Sequence, residues 1–230
     1  MSVEKEKLIL LHGALGSSKQ FDSIKLKLSD SFEVFTMNFE GHGDRHTDRE
    51  YAIDLFAQNL IDVMEENSIA SAKVLGYSMG GYVALYSSLQ YPSRFEKIIT
   101  LGTKFNWSRE AAEKEVKMLD PEKIEEKVPA FANQLKAIHH AQDWKSVVRK
   151  TAKMMLAMGD GARISDEAFQ KIQPNVVIGL GSQDRMVTYE ESARIAETIP
   201  DCKLIVLKDQ KHPIEMVDGE VLYNYLIENL

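Results

Sequence analysis

The sequence predicts an α/β protein in which a mostly parallel β-sheet of about six strands is flanked by helices. Three observations support this prediction. Short apolar runs alternate along the chain with longer amphipathic stretches, which is the order of strands joined by helices. The runs are rich in Val, Ile and Leu without regular polar alternation, as expected of strands covered on both faces. The length of 230 residues suits one substantial core rather than two full domains.

The elements follow from these patterns in chain order. The predicted strands are the apolar runs at residues 8–11, 32–37, 73–75, 97–101, 175–180 and 203–207. Four segments carry apolar residues at helical spacing and are predicted helices, at 53–66, 79–89, 188–198 and 217–228. In the first of these, the apolar residues at helical spacing are Leu55, Leu60, Ile61 and Met64.

Residues 105–169 break the alternation, because they contain helical patterns and no strand-like run. Asp120 and Pro121 form a good helix start, with Asp as N-cap and Pro at the first helical position. Residues 144–158 place an apolar stripe on one helix face. We therefore predict a small helical cap at 105–169, inserted into a core domain that is formed by residues 1–104 and 170–230.

The composition restricts the class of partner. Hydrophobic residues make up 44% of the chain and charged residues 27%, as in an ordinary globular protein. The formal net charge is −7, with basic residues mixed among acidic ones. This disfavours nucleic acid, because phosphate binding needs a concentrated basic face. We expect a small-molecule substrate as the partner, and a monomer or homodimer.

The cellular compartment is predicted from the number of cysteines and from the first residues of the sequence. Cys202 is the single cysteine, so no intramolecular disulfide can form, and we expect a partly buried residue at the start of a strand. The first seven residues are mostly charged, and the apolar run at 8–11 is shorter than a signal peptide or membrane helix requires. We therefore expect a cytoplasmic protein with no membrane contact.

The strongest motif is Gly76-Tyr77-Ser78-Met79-Gly80, which lies between a predicted strand and a predicted helix. A serine on such a tight turn exposes its hydroxyl, and the residues two before and two after it must be small. The helix that begins at Met79 directs its amide groups and its dipole toward negative charge beside Ser78. Ser78 is therefore the predicted nucleophile.

A serine nucleophile needs a histidine base that is oriented by a carboxylate, in the chain order serine, acid, histidine. His212 follows the last predicted strand and is the predicted base. Asp184 follows the strand at 175–180 and is the predicted acid, with Asp209 as the alternative in the loop of His212. Of the other histidines, His139 and His140 are expected at the surface or lining the pocket.

The loop His12-Gly13-Ala14-Leu15-Gly16 follows the first predicted strand. Its glycines let the backbone turn close to a ligand. The backbone N–H groups of Ala14 and Met79 are the two predicted donors of an oxyanion hole. His12 is expected to be structural, with hydrogen bonds to nearby backbone.

Together these motifs resemble the α/β-hydrolase family across nearly the whole chain. The resemblance rests on His12-Gly13, Gly41-His42-Gly43, the Ser78 turn, Asp184 in the segment 181–187, and His212. It implies a mostly parallel sheet with a helical cap. Serine at the turn argues against the dehalogenase and epoxide hydrolase members, which use aspartate there. Tyr82, Lys211 and Pro213 depart from patterns common among relatives.

The resemblance implies a serine hydrolase that cleaves a small ester or thioester, with no cofactor and no metal. A cofactor-free lyase or carbon–carbon bond hydrolase with the same triad is one alternative. A ligand receptor with slow turnover, or a non-catalytic scaffold, is another. The expected substrate-binding residues are Leu15, Tyr77, Trp107, Met154, Met155 and Met158. Trp144 is a further candidate for lining an apolar pocket.

Overall fold

The computed structural model describes residues 5–230 and contains a six-stranded parallel sheet. The strand order is β2-β1-β3-β4-β5-β6, and every neighbouring pair is parallel. The strands are β1 (Glu6–Leu11), β2 (Phe32–Met37), β3 (Ala72–Tyr77), β4 (Phe95–Leu101), β5 (Asn175–Gly181) and β6 (Cys202–Leu207). All six predicted strands are confirmed, with ends that differ by at most two residues.

Side chains on both faces of the sheet are buried, which explains the continuous apolar runs. In β1, Ile9 and Leu11 contribute to one hydrophobic cluster, whereas Leu8 and Leu10 contribute to another on the opposite face. Successive strand residues point to opposite faces, so a run of four apolar residues serves two cores. The sheet therefore needs helices on both sides.

In the described part of the chain, residues 5–230, ten helices surround the sheet or extend from it. They are α1 (Asp22–Leu28), α2 (Ile53–Glu66), α3 (Met79–Gln90), α4 (Arg109–Val116), α5 (Pro121–Lys127), α6 (Pro129–Ile138), α7 (Trp144–Gly159), α8 (Asp166–Phe169), α9 (Tyr189–Thr198) and α10 (Gly219–Ile227). Three short 3₁₀ turns are also present. Within residues 5–230, none of these helices has the length and apolar character needed to cross a membrane.

Helix α1 has no counterpart among the predicted helices. Its residues Ile24, Leu26 and Leu28 alternate with polar residues, which is a strand-like period of two. Ile24 and Leu28 are buried against the sheet, whereas Leu26 remains 76% exposed. Tertiary burial of one short face therefore decides the helical conformation of this segment.

Helices α4 to α8 lie between β4 and β5, in the segment that we call the cap (residues 105–169). Asp120 caps α5 by accepting a hydrogen bond from the Lys123 amide, and Pro121 is the first helical residue, as predicted. The cap has a small hydrophobic cluster of its own, which includes Trp144 and Val148. Other cap residues join the main core cluster. The division into core domain and cap stays a prediction.

Candidate active site

The predicted catalytic side chains lie at one edge of the sheet. Ser78 follows β3, Asp184 follows β5, and His212 follows β6, while the loop containing Ala14 follows β1. The carboxyl ends of parallel strands meet at one edge, which is where such sheets bind their ligands. Residues far apart in the sequence are thus brought to one place.

Ser78 occupies a strained turn between β3 and α3. Its φ is 51° and its ψ is −115°, a conformation that non-glycine residues rarely adopt. The Ser78 amide donates to the Leu101 carbonyl at 2.8 Å, which ties the turn to β4. A Cβ atom on Gly76 would collide with the backbone of Gly81, and one on Gly80 would collide with the Leu11 carbonyl. The turn therefore requires the small residues that the sequence places there.

His212 and Asp184 form a hydrogen-bonded pair, with 2.8 Å between Nδ1 and Oδ2. The Asp184 side chain is 1% exposed, and its other oxygen accepts from the Met186 and Val187 amides at 2.8 and 2.9 Å. Burial alone raises the pKa of Asp184, but the His212 ring and these two amides together bring it below its ordinary value. Asp184 is thus held as a carboxylate facing His212.

The backbone of His212 is also held in place. The Tyr77 hydroxyl donates to the His212 carbonyl at 3.1 Å, so β3 supports the loop that carries the histidine. Asp209, the alternative acid, is exposed and accepts a 3.3 Å hydrogen bond from Gln183. Among residues 5–230, no hydrogen bond joins Ser78 to His212, although both side chains line one cleft. Catalytic hydrogen bonds often tighten only when substrate binds.

Two backbone amides face the same region. Met79 is the first residue of α3, so its N–H has no partner within the helix. Ala14 lies in the loop after β1, and it lines a pocket together with Ser78 and Met79. No hydrogen bond from either amide is found among residues 5–230. The assignment of these two amides to an oxyanion hole stays a prediction.

Two histidines near this loop are buried. His12 contacts the Gly13 carbonyl at 2.8 Å through Nδ1 and accepts from the Phe39 amide at 3.2 Å through Nε2. The structural role predicted for His12 is confirmed. The expectation for His139 is wrong, because this side chain is 0% exposed, lines neither cavity at Ser78 and binds backbone atoms of two core loops. His140 is exposed.

Two cavities meet at Ser78. The smaller, called the small pocket, has a volume of about 40 Å³ and is mostly apolar; its lining residues are Ala14, Ile53, Ser78, Met79, Tyr82, Lys104, Trp107, Met154, Met155 and Met158. The larger, called the cleft, has a volume of about 410 Å³ and passes between the cap and the core. Ala14, Ser78 and Met155 line both cavities. His212 lines only the cleft.

The predicted substrate-binding residues all line one of these cavities. Trp107, Met154 and Met158 line the small pocket, whereas Leu15 and Tyr77 line the cleft. The other tryptophan considered, Trp144, lines neither cavity. It belongs to the cap cluster, which also contains Val148.

Sequence reasoning missed two polar groups at the site. Lys104 lines the small pocket, and its Nζ lies 3.2 Å from a Glu115 carboxylate oxygen on the cap. Gln20 accepts a 3.2 Å hydrogen bond from the Gly13 amide and so supports the loop of Ala14. Lys104 lies three residues after β4 ends, and that position could have suggested it. No local signal marks Gln20.

Comparison with known proteins identifies the family to which this chain is similar. A family model of the alpha/beta hydrolase fold matches residues 7–140. Ethanol acetyltransferase 1 of Hanseniaspora uvarum is 25% identical over 99 residues, which cover 42% of this chain and 30% of that protein. The chain therefore spans less than a third of the length of this curated relative.

Two solved structures resemble the whole chain. A thermophilic esterase from Thermogutta terrifontis has a TM-score of 0.78 at 20% identity, with coverage of 98% of this chain and 89% of the other. The 2-hydroxy-6-oxo-6-phenylhexa-2,4-dienoate hydrolase of Rhodococcus sp. strain RHA1 has a TM-score of 0.77 at 20% identity, with coverage of 98% and 90%. At this identity the likeness concerns the fold alone. With the parallel sheet, the strained serine turn and the family match over 7–140, this chain belongs to the alpha/beta hydrolase fold family.

Proposed function

We propose that this protein is a serine hydrolase that cleaves small esters or thioesters through an acyl-enzyme intermediate. The observation that carries the proposal is the strained turn of Ser78, a residue that lines the same cleft as His212, whose ring is hydrogen-bonded to Asp184. A serine hydroxyl is a weak nucleophile and reacts only when a neighbouring base removes its proton. Asp184 holds the Nδ1 proton of His212, which leaves Nε2 free to act as that base.

In the proposed mechanism, Ser78 Oγ attacks the carbonyl carbon while His212 Nε2 takes the hydroxyl proton. The carbonyl oxygen becomes negatively charged and accepts hydrogen bonds from the Ala14 and Met79 amides. His212 then donates its proton to the departing alcohol or thiol, which leaves Ser78 acylated. Water then enters and attacks the acyl carbon while His212 takes its proton. The bond to Ser78 Oγ breaks, the acid is released, and His212 returns the proton to Ser78.

The two cavities suggest which part of the substrate lies where. The leaving group must be near His212 to receive its proton, and His212 lines only the cleft. We therefore place the alcohol or thiol in the cleft and the acyl group in the small pocket. The small pocket has a volume of about 40 Å³, against about 410 Å³ for the cleft, and therefore suits the smaller, acyl part of the substrate.

The cleft suits a larger leaving group of mixed character. Its apolar wall includes Phe131 and Ile138 of α6, and its polar wall includes Gln20, Gln134 and Glu215. Phe131 is 36% exposed, and Met118 and Met186, which also line the cleft, are 60% and 40% exposed. These exposed apolar side chains would cover an aryl or alkyl leaving group. The proposed substrate is a short acyl ester or thioester of a bulky alcohol or thiol.

Reaction with a fluorophosphonate probe, followed by intact mass measurement, tests the proposed function. We expect one adduct on the wild type and none on Ser78→Ala, because only an activated serine attacks the phosphorus atom. The matched control is Ser93→Ala, which removes an exposed hydroxyl just before β4 and should leave labelling unchanged. An unlabelled, folded wild type would contradict the proposal.

The same samples separate the proposal from its main alternative. Purified protein is assayed with aryl acetates and with a diketone that is cleaved at a carbon–carbon bond. Turnover of the acetate supports ester hydrolysis. Turnover of the diketone alone would favour a carbon–carbon bond hydrolase with the same triad.

A further inference from the structure

His139 links the cap to the loop of the proposed oxyanion hole. It follows the last residue of α6, and its side chain is 0% exposed. Nδ1 lies 3.1 Å from the Gly43 amide nitrogen, and Nε2 lies 3.0 Å from the Leu15 carbonyl oxygen. An amide N–H can only donate and a carbonyl can only accept. The ring is therefore neutral, with its proton on Nε2, and it joins two core loops that are 28 residues apart.

The Leu15 end of this link lies next to Ala14, whose amide is a proposed oxyanion donor. Leu15 has a φ of 60°, a left-handed conformation that is unfavourable for a non-glycine residue. Such a conformation persists only when the surroundings hold it. The Leu15 carbonyl is held by His139, and the Leu15 side chain packs against the cap cluster.

The core holds the same loop from the other side. The Gly13 amide donates to Gln20, and the Gly13 carbonyl contacts His12. The loop is therefore fixed at Gly13 by the core and at Leu15 by the cap, with Ala14 between the two. Neither contact alone determines the direction of the Ala14 N–H.

We propose that His139 is a positioning residue that directs the Ala14 amide toward the oxyanion by holding the Leu15 carbonyl. This proposal rests on the proposed function for its catalytic consequence. Its structural consequence, the order of residues 13–16, does not depend on any activity. When the cap moves away from the core, the oxyanion hole loses the support of one donor. Catalysis is thereby coupled to the position of the cap.

Gln142 provides a matched control within the same part of the chain. It also follows α6, and its side-chain amide donates to the Gly41 carbonyl. It therefore joins the cap to the turn that contains Gly43, but it makes no hydrogen bond to residues 13–16 among residues 5–230. A general loss of cap anchoring would appear in Gln142→Ala as much as in a His139 variant. A loss of activity that is specific to residues 13–16 would appear in the His139 variant and not in Gln142→Ala.

Two substitutions separate the functions of the two ring nitrogens. In His139→Gln, the longer amide can still donate to the Leu15 carbonyl, while the bond with Gly43 is lost. In His139→Asn, the shorter side chain can still accept from the Gly43 amide, while the bond to Leu15 is lost. The proposal predicts that Gln preserves activity and that Asn does not.

The first measurement is steady-state ester hydrolysis by the purified protein. Losing one oxyanion donor typically lowers the rate by about 10²–10³-fold, which is the upper limit expected for kcat of His139→Asn. KM should stay within about twofold, since the contact acts on the transition state. His139→Gln and Gln142→Ala should keep kcat within about threefold of the wild type. Equal losses of kcat in His139→Asn and Gln142→Ala would overturn the proposal.

The second measurement is hydrogen exchange of the backbone amides in peptides that cover residues 12–20, without substrate. Exchange should be faster in His139→Asn than in the wild type, and unchanged in Gln142→Ala. This result decides the positioning role even when no ester is hydrolysed. Unchanged exchange in a folded His139→Asn overturns it. If His139→Asn does not fold, a His139→Gln variant with fast exchange at 12–20 overturns it instead.

Discussion

At the scale of single residues, the carboxylate of Asp184 decides which nitrogen of His212 carries a proton. Asp184 accepts from His212 with one oxygen and from two backbone amides with the other. The amides orient the carboxylate and favour its charged form. The neutral ring then presents a protonated Nδ1 to Asp184, which leaves Nε2 without a proton. This arrangement is what the proposed base requires.

Asp184→Asn tests this arrangement at the residue scale. The new amide can keep the contacts with Met186 and Val187 while it presents an N–H group to His212, which forces the wrong tautomer. We expect kcat for an acetate ester to fall by about 10⁴-fold with little change in melting temperature. The control is Asp209→Asn, at the exposed alternative acid, which should retain wild-type kcat. An inactive Asp209→Asn variant would instead favour Asp209 as the acid that orients His212.

At the scale of elements, helix α7 forms a wall of the proposed acyl site. Met154 and Met158 are buried in the main core cluster and line the small pocket. Met155 is half-buried, and it lines both the small pocket and the cleft. The side chain of Met155 therefore lies between the two cavities. Its removal would join them without emptying the core.

The acyl-length preference tests this view of α7. For the wild type, kcat/KM with aryl esters should fall as the acyl chain grows from two to ten carbons, because the small pocket is soon filled. Met155→Ala should raise kcat/KM for the octanoyl ester relative to the acetyl ester by about tenfold or more. Leu156→Ala, at a 39% exposed neighbour that lines neither cavity, should not change this ratio. A wild type with no dependence on acyl length would refute the small pocket as the acyl site.

At the scale of the whole molecule, three buried histidines lie where the cap meets the core. The ring centroids of His12 and His42 are 5.1 Å apart, and those of His42 and His139 are 5.7 Å apart. Burial lowers the pKa of His12 and of His139 from 6.5 to about 4, despite backbone hydrogen bonds that favour the charged form. Burial, and then the two neighbouring rings, lower the pKa of His42 as well. All three rings are therefore neutral at pH 7.

These lowered pKa values make the stability of the fold depend on pH. Between pH 6.5 and about 4, the unfolded chain binds protons at these histidines and the folded chain does not. The free energy of unfolding must then fall as the pH falls, by about 1.4 kcal/mol per pH unit for each histidine. We expect His42→Phe to show a shallower slope than the wild type in denaturant unfolding across this range. His140→Gln, at an exposed histidine, should keep the wild-type slope.

The sequence by itself was sufficient to predict the features that depend on local chemistry. Apolar runs identified the six strands, because a strand buried on both faces must be apolar throughout. The glycines around Ser78 identified the strained turn, since no larger residue fits there. Chain order then selected Asp184 and His212, which the structure places 2.8 Å apart. Helix α1 was missed because its short apolar pattern has the period of a strand.

The tertiary structure decided what depends on contacts between distant parts of the chain. Nothing near His139 in the sequence shows that its ring would be buried between Leu15 and Gly43, because both partners are backbone atoms supplied by distant loops. The division of the site into a small pocket and a cleft likewise depends on how α7 lies over the loop of Ala14. Local patterns specify the strands, the turns and the candidate nucleophile, whereas the packing of the cap on the core specifies the shape of the site and the support of its loops.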